Sequence, residues 1–171
     1  MPSQSFIEND ETILYNVTND HYNIQCVLLD EDRQNFLCAY LYYVIEEGID
    51  QGIKGIKYFE IGSNLNLYDY EVTLKLTGVY EDIRMTKLSE EKILIALLDI
   101  KKSKVKIVLL VQDEIKKFRK SYETNDISIA SKEKSFPFYQ LVTISESKAF
   151  FINTNQNNLA FLVIDIRGNI I

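Results

Sequence analysis

Three kinds of hydrophobic pattern run along this chain. The first is the two-residue alternation of a half-buried strand. Tyr70, Val72, Leu74 and Leu76 fall on one face, and Glu71, Thr73, Lys75 and Thr77 on the other, which predicts an antiparallel strand with one wet side. The second is the short apolar run bounded by turn residues. Ile13–Val17 and Asn23–Leu29 fit a hairpin around Asn19 and Asp20, Ile56–Ile61 a short strand, and Val105–Val111 a strand covered on both faces. Tyr139–Ser145, Ala149–Asn153 and Leu159–Ile166 read as consecutive antiparallel strands, and the unbroken apolar stretch Leu159–Ile164 predicts an interior position in the sheet.

The third pattern points to helices. Asp30, Glu31 and Asp32 supply acids suited to a helix start and Gly48 a residue suited to its exit, which predicts a helix over about Glu31–Glu47. Its middle, Phe36–Ile45, is apolar or aromatic on every face, so that helix has to be central or an interface. Ser89 before Lys92–Lys102, with Ile93, Ala96, Leu97 and Ile100 at helical spacing, reads as a capped helix. Helix is preferred to strand there because the Lys101–Lys104 connection lacks the Gly or Asn of a tight hairpin. Asp113 would cap a third, short helix with Ile115, Phe118 and Tyr122 as its apolar stripe, and Thr124–Ser135 reads as a surface loop. The expected fold is α+β: a mainly antiparallel sheet with a long helix in the N-terminal half and one or two shorter helices packed on it. A single domain over residues 1–171 is expected, since the chain has one domain's length and no Pro- or Gly-rich linker or repeat.

Composition narrows the class. The chain is 46% hydrophobic and 26% charged, with 6 Gly and 2 Pro, which is ordinary globular composition. Met1–Glu11 has neither a basic region nor an apolar run, and no stretch reaches the ~20 apolar residues of a membrane span, so a cytoplasmic protein without membrane attachment is expected. Asn16-Val17-Thr18 matches a glycosylation acceptor, a reading that would require secretion. Cys26 and Cys38 lack CxxC spacing and sit in apolar runs, which predicts two buried free thiols.

Charge adds an asymmetry that the net value of −6 hides. Residues 1–53 carry ten acids against Arg33, whereas residues 101–120 carry eight bases against Asp113 and Glu114. Carboxylates next to Tyr-rich sequence have the composition of an interface core with a charged rim. The candidate partner-binding residues are therefore Asp30, Glu31, Asp32, Tyr40, Tyr42, Tyr43, Glu46, Glu47 and Asp50.

Motifs for chemistry are sparse. His21 is the lone histidine, and a dyad with Cys26 or Cys38 has no orienting group beside it. Gly48, Gly52 and Gly55 are wrongly spaced for a dinucleotide loop, and no GxxxxGK[ST] occurs. No cofactor or metal is expected. Leu98-Asp99-Ile100-Lys101 resembles the D/E-x-K element of the restriction-endonuclease-like nucleases, a resemblance of a few residues. It implies a metal site of Asp82 and Asp99 with Lys101, requires a strand at Asp99, and would make residues 101–120 a nucleic-acid surface.

The reading that follows is a non-catalytic protein-binding module. Its most concrete form is an acidic immunity protein or antitoxin that occludes a basic toxin. The alternatives are the metal-dependent nuclease and a self-associating structural protein that forms a homodimer. The expected partner is a protein with a basic surface, and nucleic acid is not expected.

Overall fold

The computed structural model describes residues 24–32, 34–46, 49–62, 67–75, 80–129, 138–154 and 159–166, without the side chains of 42–46, 49–54, 67–75 and 138. The expected hairpin strand Ile13–Val17 lies outside these residues. Among the described residues, twelve strands form three antiparallel sheets. The first comprises β1 (Gln25–Asp30), β2 (Asn35–Glu46), β3 (Ile49–Ile61) and β4 (Leu67–Lys75), in that order. The second comprises β5 (Asp82–Ser89), β6 (Lys92–Asp99), β7 (Lys104–Gln112) and β8 (Phe118–Glu123), with β9 (Ile127–Ser128) pairing the beginning of β7. The third is β10 (Phe138–Ser145), β11 (Lys148–Thr154) and β12 (Leu159–Asp165).

The second sheet lies between two cores. β6 is apolar along Ile93–Leu98, and a pleated strand sends successive side chains to opposite faces. Ile93, Ile95 and Leu97 join Leu37, Ala39, Leu41, Ile56 and Tyr58 of the first sheet, while Leu94, Ala96 and Leu98 join Leu141, Ala149, Phe151 and Ile164 of the third. β7 does the same, with Val108 and Leu110 on one side and Val105 and Ile107 on the other. A Tyr58 hydroxyl that donates to the Phe118 carbonyl at 2.5 Å ties the first sheet to the second.

The expected helices are absent among the described residues, and the fold is all-β. Over residues 37–41 β2 is apolar at every position because this part of it is buried on both faces: Leu37, Ala39 and Leu41 point to the core, and Cys38 and Tyr40 on the opposite face are also buried. Phe, Tyr, Val and Ile are strand-favouring residues, so propensity and burial agree on β. The acids taken for a helix start build the β1–β2 turn instead, where Asp30 Oδ1 accepts the Asp32 amide at 2.9 Å and Gln34 has φ 51°.

The other two helix expectations fail for reasons of turn chemistry. After β6, Asp99 Oδ1 accepts the Lys102 amide at 2.9 Å and Ser103 adopts φ 52°, so Asp and Ser close the hairpin without glycine. Asp113 does act as a cap, but of a hairpin loop. Its Oδ1 accepts the amides of Ile115 at 3.0 Å and Lys117 at 2.8 Å, Arg119 Nε donates to its Oδ2 at 2.5 Å, and Lys116 takes φ 62°. Val105–Val111 is the interior strand expected. Leu159–Ile164 is not, since β12 ends its sheet among the described residues and Leu159, Phe161 and Val163 are exposed.

The cysteines also differ from expectation. Cys26 and Cys38 stand directly opposite each other on β1 and β2, with Cα atoms 4.1 Å apart, and are joined as a disulfide. Cys26 is exposed and Cys38 buried. The bridge staples the outermost strand of the first sheet across 12 residues of sequence. Reduction, or Cys26→Ser with Cys38→Ser, is expected to lower unfolding stability by roughly 2–4 kcal/mol, measured as the shift of a urea transition with and without dithiothreitol.

Candidate functional site

The β10–β12 sheet has a simple alternation with an unusual result. Tyr139, Leu141, Ala149, Phe151 and Ile164 face the core, and Tyr139 stacks on Phe151 at 5.7 Å. The intervening residues point away from it, and most of them are apolar as well: Val142 and Ile144 on β10, Phe150 and Ile152 on β11, Leu159, Phe161 and Val163 on β12. Register brings them side by side, with Val142 opposite Phe150, Phe150 opposite Val163, and Ile152 opposite Phe161. The Phe150 and Phe161 rings lie 6.0 Å apart on this shared face.

Exposure marks this surface. Leu159 and Phe161 are each 58% exposed, Ile144 48% and Val163 47%. Three strands about 4.8 Å apart and seven residues long give a platform of roughly 14 by 23 Å. At about 300 Å² in plan it matches the largest apolar patch of a typical monomer, a patch that is often functional. A Lys148–Asp165 ion pair at 3.4 Å sits at its edge.

A second feature lies at one end of the first two sheets. The β1–β2, β5–β6 and β7–β8 turns converge there around a cleft of about 460 Å³ lined by Leu29, Asp30, Asn35, Glu60, Glu90, Gln112 and Lys116. Glu31, Asp32 and Glu91 are exposed in two of those turns. Three of the acids expected at a partner surface, Asp30, Glu31 and Asp32, are therefore at this end. Glu46 and Asp50 are at the far end of the 12-residue β2, about 36 Å away at 3.3 Å per residue. Tyr40, between the two groups, is buried and meets Phe59 edge-on at 6.2 Å. Glu47 and the side chains of Tyr42 and Tyr43 lie outside the described residues, as does His21. The structure thus does not gather the nine expected residues into one surface.

The basic stretch is likewise divided. Lys101, Lys102 and Lys104 are at one end of the second sheet and Lys116, Lys117, Arg119 and Lys120 at the other. Local carboxylates neutralise many of them: Lys101 pairs with Glu81 at 2.9 Å, Lys102 with Asp99 at 3.4 Å, Arg119 with Asp113 at 2.5 Å and Lys120 with Glu123 at 3.0 Å. The Arg119 hydrogen bond and the loop amides hold the Asp113 carboxyl below the usual carboxylate range.

The nuclease-like pair does not assemble. Asp99 stands on a strand, as the resemblance requires, but Asp82 is directly opposite Leu98. Asp82 therefore shares the face of Leu98, and the next residue, Asp99, points to the other side of the sheet. Each is committed locally, Asp82 to the Ile83 amide at 2.8 Å and to Arg84 at 2.7 Å, and Asp99 to the β6–β7 turn. No group of three or more potential metal ligands occurs among the described residues.

A buried polar cluster lies around Tyr80. Lys106 lies 5.9 Å over the Tyr80 ring and 3.9 Å from Asp126, to which Tyr80 donates at 2.8 Å. Burial and the Asp126 hydrogen bond push the Tyr80 phenol well up. In the sequence the apolar face is legible only as the unbroken run Leu159–Ile164, a pattern that equally predicts a sheet interior.

Burial pushes the Tyr58 phenol up to about 12 from 10.0. Folding favours its neutral form, so the contribution is complete below pH 10 and is lost as pH rises toward 12. Alkaline denaturation should set in above about pH 10, and Tyr58→Phe should move it toward higher pH, read by tyrosinate absorbance against circular dichroism. Asp99→Ala, which strips the β6–β7 turn of its acceptor, should cost about 1–2 kcal/mol in a urea transition.

No known protein family, no curated protein and no solved structure matches this chain.

Proposed function

We propose that the protein is a non-catalytic protein-binding module that docks its partner on the outward face of the β10–β12 sheet. The observation that carries this reading is the exposure of Ile144, Leu159, Phe161 and Val163 on one face while the opposite face of the same sheet already supplies the core. Folding needs one apolar face of an outer sheet. A second apolar face is a cost to solubility unless something covers it.

The narrower reading is an immunity protein or antitoxin directed at a basic toxin. It draws support from the net charge of −6 and from the cleft in which Asp30, Glu60 and Glu90 converge. Carboxylates in this position would steer a cationic partner and hasten encounter.

The test is partner capture with tagged protein, followed by affinity measurement between purified components. Phe161→Ser combined with Ile144→Ser should weaken binding at least tenfold, since central aromatic anchors contribute about 2 kcal/mol or more. The thermal midpoint should change little because both side chains point outward. Unchanged affinity in a folded variant would remove this face as the docking surface. Neutralising Asp30, Glu60 and Glu90 together should lower the association rate and flatten its salt dependence if the partner is basic.

A further inference from the structure

Strand edges are handled in two different ways in this molecule. An unpaired edge presents a row of free N–H and C=O groups that templates pairing with another chain, and native proteins block it with bulges, charges, proline or a covering element. The edge of β5 is blocked by side chains. Arg84 Nη1 donates to the Ile83 carbonyl at 2.7 Å, and its Nε reaches across to the Tyr139 carbonyl at 3.1 Å. Thr143 Oγ1 donates to the Lys87 carbonyl at 2.6 Å and lies 2.8 Å from Thr86 Oγ1, while Lys87 Nζ bonds the Leu29 carbonyl. Register shifts interrupt β1 and β10 where they pair with their neighbours.

β12 carries none of these devices. It pairs with β11 at all seven positions without a register shift, and its other edge has no neighbour among the described residues. Its sequence, Leu-Ala-Phe-Leu-Val-Ile-Asp, contains no Pro, Lys or Gly, and its only charge is at the end.

We infer that β12 pairs antiparallel with β12 of a second copy of this chain, making one six-stranded sheet from two three-stranded ones. Full overlap of the seven residues puts the two-fold axis at Leu162. Phe161 then faces Val163 of the other copy, twice, as an aromatic and β-branched cross-strand pair of the favoured kind. Edge pairing buries neither outward face but joins the two. One platform measures ~300 Å² in plan, less than half the ~800 Å² that each side of a standard interface contributes. Two platforms edge to edge give ~600 Å² of continuous apolar face. This inference rests on the docking face proposed above and adds that self-pairing assembles that face at a useful size.

The test uses the full chain and two double variants that alter the face equally. Phe161→Glu with Val163→Glu sets like charges opposite each other in the paired strands, whereas Phe161→Glu with Val163→Lys sets opposite charges there. Light scattering after size exclusion should give twice the 19.9 kDa chain mass for the native protein, 19.9 kDa for the Glu/Glu variant, and the doubled mass again for the Glu/Lys variant. A native monomer would overturn the inference, and slow amide exchange along β12 in that monomer would assign the edge to another segment of the same chain. Equal loss of the dimer in both variants would overturn it too, because face-to-face packing would then be what holds the copies together. Partner affinity that drops for Phe161→Ser with Ile144→Ser while the native mass stays single would sink self-pairing alone and leave the docking face standing.

Discussion

The architecture depends on one strand that has no polar side. Ile93–Leu98 of β6 is fully buried, three side chains to each face. Leaving a Leu or Ile of this kind in water costs about 1.5–3 kcal/mol each, so β6 is stable only with a layer above and a layer below. That requirement makes the second sheet central and turns the first and third sheets into its two covers. The polar ends of the strands follow from it: Asp82, Asp99, Lys106 and Thr124 are buried next to the apolar layers, and each is satisfied by a nearby amide, cation, ring or carboxylate. Thr124 does so by taking the Ile107 amide at 2.9 Å, which extends the β7 ladder by one side-chain bond.

Covering β6 accounts for one face of each outer sheet and for no more. In the third sheet the inner residues Leu141, Ala149, Phe151 and Ile164 discharge that role. The outward apolar set takes part in neither of the two core clusters. Its position reinforces the point, because β5, β1 and β10 lie close together on one side of the layers, where side-chain hydrogen bonds hold them, and β12 ends its sheet two strands away from that junction. The sheet is anchored along one margin, and along the other no further strand occurs among the described residues.

The strands in the second half of the chain were largely legible, because short apolar runs there are separated by turn residues: β7, β10 and β11 fall where periodicity places them. The misreadings share one physical origin. A run that is apolar at every position carries no period, so Phe36–Ile45 and Ile93–Leu98 fit a buried helix and a doubly buried strand equally well. Flanking residues then decided wrongly, since Asp30, Ser89, Asp99 and Asp113 accept backbone amides in turns with the same side-chain chemistry that caps helices. Leu159–Ile164 shows the converse ambiguity: an apolar run is equally the signature of two buried faces and of one buried face backed by a docking face. The disulfide was invisible for a related reason, because only the cross-strand register that puts Cys26 opposite Cys38 makes the pair.

The same change of period relocates the functional weight of the chain. On a helix, 16 residues rise about 24 Å and wind around one axis, so acids at 30–32 and 46–50 could flank a common tyrosine surface. On β2 they are carried to opposite ends of an extended strand, and Tyr40 between them turns into buried surface. What remains at one end is a set of carboxylates drawn from separate elements, Asp30 of β1, Glu60 of β3 and Glu90 of the β5–β6 turn, which line one cleft together with Lys116. The Lys and Arg residues of 101–120 lose their collective meaning in the same way, since hairpin geometry hands several of them a neighbouring acid. The basic charge of residues 101–120 is thus largely spent within hairpins, whereas the outward apolar side chains of β10–β12 belong to neither core cluster.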